Sequence, residues 1–181
     1  ISTLYSQTTK KTVSALRIST SPTIDGVLNE PFWQKAQEAK DFVMFEPGDG
    51  GKERDDKKTI VKIAYDNEAI YFGAIMFDKN PKEIPKQFGD RDQIGIVDFF
   101  SVSINPNNDG INDTEFIVLS TGAQADAKVV YDNEDFSWNA VWDSEVKINK
   151  DSWVVEIKIP YSALRFSNTN VQTWGINFQR K

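Results

Sequence analysis

The 181-residue chain contains no cysteine and no histidine. Without thiols there is no disulfide, no thiolate nucleophile and no Cys-held zinc or iron–sulfur cluster. Without imidazole there is no Ser-His-Asp triad, no histidine base and no histidine-held zinc, copper or haem. No apolar run reaches 18 residues, so no segment reads as a membrane-spanning helix. Positive charge is also in short supply: 21 Lys and Arg against 27 Asp and Glu leave a formal charge of −6. That balance argues against nucleic acid as a partner, because phosphate binding needs basic clusters. What remains open is oxygen chemistry, meaning carboxylate acid–base work and calcium-type sites built from Asp and Asn.

The length suits one domain, and a chain of this size buries roughly 70% of its unfolded surface without needing a staple. Residues 1–12 are expected to be an N-terminal stub, either the remnant of a secretion signal or a disordered end, and residues 13–181 a single domain. Residues 59–65 (TIVKIAY) and 70–77 (IYFGAIMF) are β-branched and aromatic, with the turn residues Asp66, Asn67 and Glu68 between them. That pattern predicts a hairpin. Further strands are predicted at 96–104, 115–120, 124–131, 145–148, 153–159 and 173–179, separated by polar turns. Two short helical segments are predicted. Asn29 caps one over residues 29–37, with Phe32, Trp33 and Ala36 on its buried side, and residues 160–164 form a single turn. Many short strands with few helices predict a two-sheet antiparallel β-sandwich, immunoglobulin-like or jelly-roll-like.

Several blocks, in order, carry a resemblance. The first is Ile24-Asp25-Gly26-Val27-Leu28-Asn29-Glu30, continuing to Trp33 and Ala36. Next come Tyr65-Asp66-Asn67-Glu68-Ala69-Ile70-Tyr71, then Asp98 ahead of FFSVSINP. Trp153-x-x-Glu156-x-x-Ile159-Pro160 and Gly175-Ile176-Asn177-Phe178 complete the set. Together they resemble family 9 carbohydrate-binding modules over residues 17–181. Finer details, Arg91-Asp92, Ser137-Trp138-x-x-Val141-Trp142 and Leu164-Arg165-Phe166, are similar to one subgroup. In that subgroup the module opens a much longer bacterial protein whose remainder forms an outer-membrane β-barrel. The resemblance implies a periplasmic or cell-surface location, association with the rest of a longer chain, and no catalysis by this domain. One departure matters: the family's sugar clamp uses two tryptophans. The first position falls near Ile94-Gly95 here, and the second, in a late loop, has no counterpart. The clamp is therefore not carried over.

Sugar recognition needs flat aromatic faces for C–H stacking, plus amides, carboxylates or Arg for the hydroxyls. Of the five tryptophans, Trp153 and Trp174 alternate with apolar neighbours and read as core, and Trp33 as a plug at one end of the sandwich. Trp138 and Trp142 lie on one face, next to an acidic loop. With Arg91 and Asp92 they form the candidate carbohydrate site. Asp98 shares a strand face with Ile96, Phe100, Val102 and Ile104, so its carboxylate requires a partner. Arg91, Arg165 and Arg180 are candidates; an ion pair with Arg165 is the expectation, with Arg91 or a metal ion as the alternatives. Asn105, Asn107, Asp109 and Asp113 alternate like part of a calcium loop, but Phe116 stands where an EF-hand needs an acid. Any cofactor is expected to be calcium held there; a long polar turn is the alternative. No spacing among the acidic residues singles out a glycosidase pair. The sequence therefore points to a polysaccharide-binding module. The alternatives are a docking domain of a barrel protein that binds no sugar and, behind it, a hydrolase domain.

Overall fold

The alternating apolar segments become strands in a computed structural model, which describes residues 10–47, 50–84, 92, 94, 97–131 and 133–181. In chain order these strands are β1 (Leu16–Arg17), β2 (Glu38–Ala39), β3 (Thr59–Tyr65), β4 (Ala69–Phe77), β5 (Phe99–Asn105) and β6 (Asn112–Leu119). They continue as β7 (Gln124–Val130), β8 (Asn133–Asp135), β9 (Asp143–Ile148), β10 (Ser152–Pro160) and β11 (Gly175–Arg180). One sheet runs β1-β3-β4-β10-β9, with β2 also on β3; the other runs β11-β5-β6-β7-β8. Pairing is antiparallel apart from the two-residue β1–β3 contact.

Period-2 alternation places one set of side chains between the sheets. Val61, Ile63, Phe72, Met76, Trp153, Val155, Ile157 and Ile159 from the first sheet meet Phe100, Val102, Ile104, Phe116 and Val118 from the second. Trp153 is core, as its alternation predicted. The predicted hairpin is β3–β4, and every predicted strand overlaps an observed one.

The helix expected over 29–37 does not form. Residues 30–36 make consecutive turns instead, through Trp33 N–H to Glu30 O (3.0 Å) and Lys35 and Ala36 N–H to Phe32 O (2.9 and 3.1 Å). Trp33 does not plug the end of the sandwich either. With Ile18 and Ala36 it packs on Ala64, Ala69 and Tyr71, on the outer face of the first sheet. The turns let a bulky ring and a small side chain reach that surface together. The turn expected at 160–164 is a 3-10 turn at Tyr161–Ala163. No helix among the described residues is long and apolar enough to cross a membrane.

This outer layer is fastened by a carboxylate. Glu156 on β10 points away from the core, is fully buried, and accepts hydrogen bonds at Oε2 from the N–H groups of Asp25 (3.1 Å) and Gly26 (3.2 Å). Gly26 has φ +74°, and a Cβ there would meet the Lys147 backbone N at 3.2 Å, so glycine is required by both conformation and space. Glu156 Oε1 and Glu30 Oε2 have no hydrogen-bond partner among the described residues. Burial, and then the nearby Glu30 and Asp25, push the Glu156 carboxyl up to about 7 against the pull of the two amides. An unfolded glutamate ionises near about 4.3. The native state therefore holds this proton more tightly than the unfolded chain. Its stabilising contribution is complete below about pH 4.3 and is lost as pH rises towards 7, at up to about 1.4 kcal/mol per pH unit. Urea midpoints measured from pH 4.5 to 8 should fall over this interval in the wild type. Glu156→Gln, which mimics the protonated side chain, should flatten the fall.

Candidate functional site

β7 carries Asp126 into a fully buried position between Ala125 and Ala127. Its Oδ1 accepts from Ala140 N–H (2.8 Å) and its Oδ2 from the Trp142 indole N–H (2.9 Å). Asp126 N–H donates to Asp92 Oδ1 (3.2 Å), and Asp92 N–H donates to Gln124 O (3.2 Å). The structure thus gathers Asp92, Trp138 and Trp142 in one place, as expected, but as a wall rather than a sugar platform. Trp142 is only 5% exposed and meets Phe116 edge-on at 5.3 Å. Trp138 meets the same ring at 6.2 Å, and Lys128 Nζ sits 4.1 Å from the Trp138 ring centroid, held by Thr114 Oγ1 (2.7 Å). Burial pushes the Lys128 ammonium below its ordinary range. Trp142 is therefore withdrawn from the stacking role, and one face of Trp138 is covered by a cation. Arg91 lies outside the described residues. Asp126, which organises the cluster, was not singled out from the sequence; its one signal is a lone acid among small residues in a strand.

The ion pair expected between Asp98 and Arg165 is absent. Asp98 precedes β5 and is half-buried, and the cations acting on it are Lys57, Arg180 and Lys181. Arg165 is exposed and acts on Lys128, which bonds Thr114. Thr114 pairs with Ile104, whereas Phe99, next to Asp98, pairs with Leu119. The two residues therefore belong to opposite ends of the second sheet. Burial raises the Asp98 carboxyl above its ordinary range, against the attraction of Lys57 and Arg180. Arg180 spans the two sheets. Its Nη1 donates to Lys57 O (2.7 Å), Lys58 O (3.2 Å) and Thr59 Oγ1 (3.2 Å), and its Nη2 to Phe77 O (2.8 Å). Lys57 also pairs with the buried Asp78.

The Asn/Asp-rich loop closes on itself. Asn105 Nδ2 donates to Asp109 Oδ1 (3.0 Å) and Asp113 Oδ1 (2.8 Å). Asp109 also accepts from the N–H groups of Ile111 (2.8 Å) and Asn112 (3.0 Å), and from Asn112 Nδ2 (3.0 Å). These donors hold its carboxyl well below the usual range. Asn107 is exposed. Among the described residues no group of three or more acidic side chains is arranged to hold a metal ion.

A broad concave surface lies elsewhere, along β11. It runs from residues 11–15 and 38–47 to residues 166–181 and reaches Tyr161, Asp66 and Asp98. Trp174, expected in the core, packs against it but is only partly buried, because it leads into β11, the edge strand of its sheet. Trp174 packs on Phe166 (5.2 Å), and Phe166 packs on Tyr161 (5.5 Å). The indole N–H donates to Gln172 Oε1 (3.1 Å), and Gln172 Nε2 is tied to Ser167 O (2.8 Å), Thr169 O (2.9 Å) and Thr169 Oγ1 (2.9 Å). The loop therefore fixes the orientation of the ring. Exposed amides of Asn168, Asn170 and Asn177 line the same groove. Aromatic faces beside fixed amides are the chemistry of hydroxyl-rich ligands.

Residues 24–181 match the family described as carbohydrate family 9 binding domain-like. Among solved structures, the chain is similar to a family 9 carbohydrate-binding module from Caldicellulosiruptor kristjanssonii in complex with glucose. The TM-score is 0.63 at 17% identity, covering 92% of this chain and 78% of that one. The same organism's family 9 module in complex with cellotriose gives a TM-score of 0.64 at 17% identity, covering 92% and 76%. No curated protein matches the chain.

The wall around Asp126 should behave as structure. Trp142→Phe keeps the ring against Phe116 but leaves the buried Asp126 oxygen without its indole donor, at a cost of about 1–3 kcal/mol. Denaturant midpoints should register that loss, while fluorescence of Trp174 should be unaltered.

Proposed function

The chain belongs to the carbohydrate family 9 binding domain-like family, and from that membership we propose that it is a non-catalytic module that binds carbohydrate in the groove along β11. The observation that carries this reading is Trp174, held by Gln172 and continued by Phe166 and Tyr161, with amides on the same surface. The solved neighbours in complex with glucose and cellotriose support it. The module serves a longer protein in the periplasm or at the cell surface, associated with the outer membrane, where polysaccharide is met.

The non-catalytic reading draws on the family membership, and the two groove acids with shifted pKa values, Asp66 and Asp98, do not form a glycosidase pair. Asp66 is taken up by Ser21, Tyr71 and the N–H groups of Glu68 and Ala69, and its carboxyl is held down to about 2. Asp98, the acid with a raised pKa, lies beside Lys57, at the other end of the seven-residue β3. Such a strand spans roughly 20 Å, whereas glycosidase carboxyl groups stand roughly 5–10 Å apart. The alternative, a docking domain without sugar binding, draws on the burial of Trp142; the aromatic groove supports the carbohydrate reading over it.

Calorimetric titration with cello-oligosaccharides tests the proposal. Trp174→Ala should lower affinity about tenfold, a loss of about 1.4 kcal/mol, with an unchanged circular dichroism spectrum. Failure of the wild-type protein to retain any glycan on an immobilised array would sink the reading.

A further inference from the structure

We infer that two copies of this chain join edge to edge through β9, antiparallel about a two-fold axis at Val146. The inference stands independently of what the groove along β11 takes.

A strand at the rim of a sheet carries a row of backbone N–H and C=O groups without partners. Folded proteins blunt such rims with very short strands, proline, bulges or a covering segment. At the other rims, β1, β2 and β8 are only two or three residues long, and β11 borders the groove. β9 ends the first sheet and uses none of these devices. It has six residues and no proline, in one-to-one register with β10 from Asp143 opposite Lys158 to Ile148 opposite Trp153. Among the described residues, none outside β10 makes a backbone–backbone hydrogen bond to residues 143–148. Val146 and Ile148 pack against the core yet stay partly exposed, as side chains do when the next strand is missing.

The side chains of this edge are complementary to themselves. Asp143, Glu145 and Lys147 are exposed on its outer face. Asp143 lies 4.0 Å from Lys158, but Glu145 and Lys147 form no ion pair or hydrogen bond among the described residues. Residues directly opposite in an antiparallel pair share a face, and like charges in such a pair repel. A two-fold axis perpendicular to the sheet must therefore pass through a residue of β9. Through Ser144, it sets Asp143 against the second copy's Glu145. Through Glu145 or Lys147, it sets that residue against its own duplicate. Through Val146, each Glu145 faces the other copy's Lys147, and Asp143 faces an asparagine, Asn149. On the inner face, Val146 then meets the second copy's Val146, and Ser144 its Ile148. Only this register brings opposite charges together with no like-charged pair, and the same patch serves both copies, as a closed dimer requires. The joined sheets leave the groove open, because β3 and β11 line it and β9 lies at the far end of the first sheet.

Sedimentation equilibrium of the whole chain, from micromolar to millimolar concentration, tests the pairing. The wild type should form dimers. Glu145→Lys and Lys147→Glu each place two like-charged pairs across the axis and should weaken dimerisation about tenfold or more. An equal mixture of the two variants should dimerise again, because an edge with two lysines then meets one with two glutamates. Both substitutions in one chain should restore self-association as well. The two side chains are exposed, so circular dichroism spectra should match the wild type throughout. A wild type that stays monomeric at millimolar concentration would overturn the inference. So would dimers that neither single variant weakens, or a mixture that associates no better than its components.

Discussion

The pairing of β4 with β10 is the constraint from which the rest of the first sheet follows. The two strands run in register over nine residues, from Ser152 opposite Phe77 to Pro160 opposite Ala69, and nearly every position is buried on both faces. One face supplies the inter-sheet core. The other carries Tyr71, Gly73 and Glu156, which water does not reach. A carboxylate in that position needs donors, and the only elements able to bring them are irregular segments with N–H groups to spare. The turn at Asp25 and Gly26 meets that need. Gly73 makes the same layer sterically possible, because a Cβ there would come within 2.7 Å of the Leu28 side chain. The covering of residues 18–36 is therefore specified by one acid and by the absence of one side chain, as well as by its own apolar residues.

The same device recurs on the second sheet and at the β3–β4 turn. Asp126 collects Ala140 N–H and the Trp142 indole, and Asp66 collects Glu68 N–H, Ala69 N–H, Ser21 and Tyr71. In each case a carboxylate anchored on or beside a strand fixes the path of chain that has no ladder of its own. A protein without disulfides or histidine uses charge-assisted hydrogen bonds for work that cross-links perform elsewhere.

The sandwich is legible in the sequence because β-branched and aromatic runs bounded by turn residues need only local information, and residues 59–65, 70–77 and 153–159 show them. β1, β2 and β8 were not legible, since two or three residues carry no period. The spacing of Phe32, Trp33 and Ala36 suits a helix and a flat run of turns equally, and only the sheet beneath decides between them. Trp138 and Trp142 do share a face, but sequence spacing does not say that the face meets a buried aspartate. Trp174 does face the core, but its partial exposure has a complementary reason. Alternation with Ile176 and Phe178 shows which side of β11 it occupies, but not that β11 stands at the rim of its sheet. The choice between Arg165 and Arg180 as the cation beside Asp98 likewise depends on which sheet end each reaches, a distance of many residues along the chain.

The guanidinium of Arg180 acts as a spacer bar. It belongs to β11, one wall of the groove, and grips carbonyls and a hydroxyl at Lys57, Lys58, Thr59 and Phe77, of which Lys57 and Thr59 line the groove as well. A rim strand fastened only by its ladder to β5 would be free to splay, and the gap beside it would vary in width. Tied across the sandwich at four points, the two walls move as one body and the aperture is set before any ligand arrives. The entropy of closing a loose cleft then falls on folding rather than on association.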